Sequence, residues 1–290
     1  MNRFYKVPSI IQELFDNKVE LLPSVTELFE LELAYLEYKI LDEKEYLERT
    51  AYAKSFNGEN SLHFLRFSDI SEEVSKNRTS TANTYFKNGL FSTGYATHSL
   101  FPYRGKFHPQ LIKGIINILG IKKGETILDP MAGSGTTNIE ASLLGINSYA
   151  IDISPFCQLM TKTKYNALKI DLDLLNNVKL DTDKLFDYFG QKNILQKIEK
   201  IGTGKKEIYE LALLAYLDAL GYSKRVVRSN HQQLFAKVLN RYLETVKSLL
   251  SNRYFDNQKL GDVTILPNSD ALNIELPDNS IDGIITSPPY

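Results

Sequence analysis

One stretch constrains this chain more than any other. Residues 125–137, ETILDPMAGSGTT, form an apolar run that ends in an acid, breaks at two glycines and restarts as an amphipathic helix. Gly133 and Gly135 let the backbone turn sharply and approach a ligand closely. The amides opening the next helix favour a negative group such as a carboxylate. A second strand-like stretch, 147–151, is followed by Asp152, close to the roughly 20-residue offset at which an acid meets ribose hydroxyls in doubly wound folds. A GxG turn alone is weak evidence. A nicotinamide-type site wants a third glycine or alanine where this chain has Asn138, and a phosphate loop wants a Gly-Lys-Ser/Thr run that does not occur.

The second informative stretch is TSPPY, residues 286–290, which follows another apolar run. An exocyclic nucleobase amine is a poor nucleophile because its lone pair is delocalised into the ring; acceptors that hold its two protons draw the nitrogen toward tetrahedral geometry. The Ser287 hydroxyl and the Pro288 carbonyl are such acceptors. Pro288 and Pro289 fix the backbone, and Tyr290 offers a ring face for an extruded base. A proline-rich turn that merely closes a strand is the competing reading.

DPMAGSGTT, SYAIDIS and TSPPY together resemble the S-adenosylmethionine-dependent DNA amino-methyltransferases, which modify cytosine-N4 or adenine-N6. The resemblance runs over 97–290. It implies an α/β Rossmann-like methyltransferase sheet and S-adenosyl-L-methionine as cofactor. Asp129, Pro130, Ala132, Gly133, Gly135 and Thr136 then form the cofactor loop, Asp152 holds the ribose, and Asp270 sits near the adenine. In FPYRGKFHPQL, residues 101–111, Lys106 and Phe107 lie beside the methionine end. Ser287, Pro288, Pro289 and Tyr290 form the catalytic loop. Ser before Pro-Pro leans toward cytosine-N4; adenine-N6, transfer-RNA guanine-N2 and a non-catalytic cofactor-binding module stay open as alternatives. The expected partners are DNA and a second polypeptide, or a missing C-terminal half, carrying further strands and target recognition.

The expected sheet uses strands at 126–128, 148–151, 263–266 and 283–285, in spatial order 3-2-1-4. Residues 1–95 read as an N-terminal helical region plus a polar connector, and 96–290 as the incomplete methyltransferase domain. A helical insertion spans about 155–255, far more than one crossover needs. Formal net charge is −1, so any DNA contact has to be local. Residues 13–48 carry eleven acids against three lysines, whereas 224–253 carry seven Lys or Arg against Glu244 alone. That basic block suits one long helix with an apolar face; Lys224, Arg225 and Arg228 are its candidate phosphate contacts, solvated surface lysines being the bland reading.

The single cysteine, Cys157, excludes an intrachain disulfide and reads as a small buried residue. A reducing cytoplasm is the expected setting, and no apolar run is long enough to suggest a membrane partner. The four histidines show no metal spacing, so no metal is expected.

Overall fold

The computed structural model describes residues 7–68, 86–87, 90–91, 94–224, 230–266 and 270–287. The acidic N-terminal region holds helices α1 (Val7–Leu14), α2 (Leu28–Ile40), α3 (Glu43–Arg49) and α4 (Leu62–Ser68) around a small antiparallel sheet of β1 (Val19–Leu21), β2 (Ala53–Phe56) and β3 (Glu59–Asn60). The sheet was not expected from the sequence. Its strands are two to four residues long, too short for alternation to register, and β1 finds its partner more than thirty positions away. A short pair, β4 (Phe86–Lys87) and β5 (Leu90–Phe91), follows within the polar connector, most of which lies outside the described residues.

The rest of the chain comprises α5 (Pro109–Ile118), β6 (Thr126–Asp129), α6 (Thr136–Leu143) and β7 (Asn147–Ala150), then six helices and two strands. The helices are α7 (Pro155–Ala167), α8 (Leu172–Asn177), α9 (Thr182–Phe189), α10 (Ile194–Ile198), α11 (Lys205–Ser223) and α12 (His231–Leu250). The strands are β8 (Val263–Ile265) and β9 (Gly283–Ile284). The sheet is parallel throughout and runs β8-β7-β6-β9. One face is closed by α5, whose Ile112 and Ile116 pack with Ile127, Ala141, Ile146 and Ile285. Each such buried side chain contributes roughly 1.5–3 kcal/mol over leaving it exposed.

Helix α5 also locks the N-terminal region in place. Glu37 on α2 is fully buried, and its carboxylate accepts from Asn117 Nδ2 on α5 (2.6 Å), Thr50 Oγ1 (2.8 Å) and the Ala51 amide. Burial raises its pKa despite these donors. Arg49 adds bonds to Asn117 Oδ1 and the Ile121 carbonyl.

The helices after β7 form their own apolar bundle around Met160, Leu211, Leu214, Phe235 and Tyr242. The basic block is not one helix. Helix α11 ends at Ser223, and α12 restarts at His231 because Asn230 turns its side-chain oxygen onto the Gln232 and Gln233 amides, a strong N-cap.

Candidate active site

The carboxyl ends of β9, β6, β7 and β8 lie side by side, the edge at which open parallel sheets hold ligands. Leu128 pairs with Tyr149 on one side and Ile284 on the other, and Ala150 pairs with Ile265. Beyond β6 the chain turns through Pro130 to Gly135, held by Ala132 N to the Ile151 carbonyl (2.8 Å) and Gly135 N to the Ala132 carbonyl (2.7 Å). Both site glycines are left-handed, with φ of +53° at Gly133 and +75° at Gly135. They are not equivalent. A Cβ on Gly135 would stand 2.7 Å from Thr161 Cγ2 and Oγ1, whereas one on Gly133 would meet Tyr103 at an ordinary 3.5 Å.

Asp152 ties this turn together. Its Oδ2 accepts from the Gly133 amide and its Oδ1 from the Ser154 amide, each at 2.8 Å. A half-buried carboxylate has capacity beyond two bonds, so bracing the loop and receiving a hydroxyl are compatible. Asp129 is 2% exposed and accepts from the Met131 amide at 3.2 Å. Burial pushes its carboxyl up to about 6, with Asp152's charge adding, against the lowering effect of Thr137, the Met131 amide and Thr286. Ala132 and Thr136 are buried and shape the turn, while Pro130 is half-buried.

Ser287 comes to the same edge. Strand β9 pairs with β6, and the Ile285 amide donates to the Leu128 carbonyl at 3.1 Å, so Thr286 and Ser287 leave the sheet beside Asp129. Pro288, Pro289 and Tyr290 lie outside the described residues, as do Arg225 and Arg228. Lys224 is exposed at the end of α11. Asp270 is exposed, its carboxylate taking the Leu272 amide at 3.1 Å.

The segment 101–107 supplies a flank. Lys106 Nζ donates to the His98 carbonyl at 3.1 Å, and burial lowers its pKa. Phe107 packs against the isoleucine cluster under the sheet. Tyr103, not singled out in the sequence, is the side chain nearest Gly133.

Behind the turn lie polar groups that local motifs could not reveal. Lys164 on α7 is 1% exposed and donates to the Ser134 carbonyl at 3.3 Å; burial lowers it to about 7, Lys106's charge adding. His98 and Glu140 form a buried pair at 2.6 Å. Among the described residues no three His, Cys, Asp or Glu side chains converge as a metal site, and no helix is long and apolar enough to cross a membrane.

Three apolar side chains stand out in water at this edge: Met131 (42% exposed) after β6, Ile153 (84%) after β7 and Leu272 (93%) beyond β8. Sequence reading passed over them. The available signal was an apolar residue close behind an acid at a strand end, as in Asp152-Ile153. Exposed apolar side chains beside a half-buried carboxylate and helix-opening amides suit a ligand that joins a planar ring, hydroxyls and a charged tail.

Asp129 makes a stability prediction with a definite sign. Its folded pKa of about 6 exceeds the ordinary 3.8, so its favourable contribution is complete below that ordinary value and is lost as pH rises through 6. Asp129→Asn should therefore be more stable than the parent at pH 7, by on the order of 1–3 kcal/mol. Urea titrations should show the gap closing toward pH 4; a gap independent of pH would contradict a buried, costly carboxylate.

Residues 99–204 match the UPF0020, RMKL-like methyltransferase domain. The chain is 26% identical to the Type II methyltransferase M.BsoBI of Geobacillus stearothermophilus, over 73% of this chain and 53% of that protein. It is 39% identical to the Type II methyltransferase M.MjaII of Methanocaldococcus jannaschii, over 36% of this chain and 20% of that one. A transfer-RNA (guanine(10)-N2)-dimethyltransferase of Methanothermobacter thermautotrophicus is 42% identical over 18% of this chain and 16% of its own. The chain thus spans about half the length, or less, of these curated relatives. No solved structure matches. A matched methyltransferase domain on a parallel sheet, with Type II methyltransferases among the similar proteins, supports the resemblance to the DNA amino-methyltransferases.

Proposed function

We propose that this chain binds S-adenosylmethionine at the carboxyl edge of β6 and β7 and takes part in methylating an exocyclic amine in DNA, cytosine-N4 first. The observation that supports this best is the pairing of β9 with β6, which brings Thr286, next to Ser287, to Asp129 at the start of the glycine turn. The cofactor supplies an electrophilic sulfonium methyl group when bound. Asp152 takes the ribose hydroxyls while bracing Gly133, and the exposed Ile153 and Leu272 flank the ring. Asp270 meets the adenine, and Lys106 lies toward the charged tail. Ser287 and the Pro288 carbonyl hold the two protons of an extruded base amine, and Tyr290 stacks on it. No covalent enzyme intermediate is called for, and Cys157 is buried away from such a role.

The proposed partner covers the edge of β9. Among the described residues β9 pairs only with β6, and Ile284 is 61% exposed; strands of parallel sheets are normally flanked and covered. Further strands carrying target recognition, from a second polypeptide or from a C-terminal half of the same chain, suit that edge. Lys224, Arg225 and Arg228 are proposed DNA-backbone contacts, and the cytoplasm is the proposed setting.

The test is nucleoside mass spectrometry after incubating the protein, with any such partner, with S-adenosylmethionine and either DNA or transfer RNA. N4-methylcytosine is the expected product. N6-methyladenine alone would overturn the base assignment. Modified transfer RNA alone would overturn the substrate class, a reading the guanine-N2 relative keeps in view although Ser287 stands where that group usually has an acid.

A further inference from the structure

Among the described residues, seven non-glycine residues have positive φ, and five are Asp or Asn, the types that tolerate it. The other two are Ala96 (+49°) and Phe101 (+66°), both leading into the segment that flanks the glycine turn. A bulky aromatic in the left-handed region is strained, and such strain persists only where the surroundings over-determine it. What holds Phe101 comes from far along the chain. Its amide donates to the Tyr242 hydroxyl at 2.6 Å, and that hydroxyl donates to Asp218 Oδ2 at 3.0 Å. Arg241 Nη2 donates to the same oxygen, also at 3.0 Å. Tyr242 is fully buried and Asp218 8% exposed, inside an otherwise apolar bundle. The Phe101 ring then packs edge-on against Phe156 at 4.9 Å. Two residues on, Tyr103 faces Gly133 and the Cys157 thiol.

We propose that Tyr242, oriented by Asp218, is a positioning residue for cofactor binding: the helical insertion uses it to hold Phe101 in its strained conformation, which seats Tyr103 against the glycine turn. The insertion then does more than join β7 to β8, because pocket affinity is set through a bond from α12. A polar pair in the middle of an apolar bundle is costly unless satisfied, and here one of its bonds reaches out to a segment that flanks the glycine turn. This inference rests on the cofactor reading above.

The test combines amide hydrogen exchange on the cofactor-free protein with calorimetric titration of S-adenosylmethionine. Tyr242→Phe deletes only the hydroxyl. It should lower protection of the Phe101 amide and weaken cofactor binding by roughly tenfold, the scale of one hydrogen bond. In a Phe101→Gly background, where the left-handed conformation is free of strain, the same substitution should change affinity little. Leu185→Ala, a core truncation on a helix other than those of Asp218 and Tyr242, controls for stability loss. If it weakens binding as much as Tyr242→Phe, or if Tyr242→Phe binds like the parent, the proposal fails. Should Tyr242→Phe not fold, Asp218→Asn replaces it and must lower Phe101 protection; unchanged protection overturns the proposal. A parent protein that binds no S-adenosylmethionine would instead overturn the cofactor reading.

Discussion

Gly135→Ala should cost about 2–5 kcal/mol of stability and weaken S-adenosylmethionine binding by roughly a hundredfold. Two effects add. An L-residue at φ +75° is strained by roughly 1–2 kcal/mol, and a Cβ placed 2.7 Å from Thr161 Cγ2 and Oγ1 forces overpacking worth about 1–3 kcal/mol. Relief requires the turn or α7 to move, and displacing the helix-opening amides by about an ångström is enough to lose about 2–3 kcal/mol of binding. Gly133→Ala meets only the backbone strain and should be milder. Adding Thr161→Ala to Gly135→Ala should recover part of the stability, since the two side chains contend for one space. Denaturant titration of the parent, Gly135→Ala, Thr161→Ala and the double variant checks this; additive losses would show that Thr161 is not the obstacle.

Ser287→Ala should fold and bind cofactor like the parent but lose about 10²–10³-fold in methyl transfer, the scale for removing one preorganised hydrogen-bonding group. Ser287 is half-buried beyond the last sheet bond, from Ile285 N to the Leu128 carbonyl, so its hydroxyl supports no strand. Steady-state rates should show the loss in kcat rather than in cofactor KM. An unchanged kcat would return TSPPY to the reading of a plain proline turn.

The central sheet was legible where local pattern and long-range structure agree. Ile127 and Leu128 are apolar because β6 is buried between neighbours, and Gly133 and Gly135 announce a turn no other residue makes easily. Legibility ended where a residue's role depends on a distant partner. Glu37 sits in an acidic stretch like any surface acid, yet it is buried against Asn117. Phe101 reads as one more aromatic, and only the fold brings Tyr242 to its amide. The basic block read as continuous because its apolar spacing hardly changes across Asn230, whose capping role depends on the geometry of the break. Asp152 is singled out in the sequence by its offset, but its grip on the Gly133 amide shows only in the fold.

The measurement that bears most directly on the account is calorimetric titration of S-adenosylmethionine into the parent protein and Asp152→Ala. The account predicts saturable binding to the parent, weakened in the variant by about 1–3 kcal/mol, the range for losing a hydrogen bond to a charged group. Binding of a nicotinamide dinucleotide with none of S-adenosylmethionine, or equal affinity in the two proteins, would contradict it.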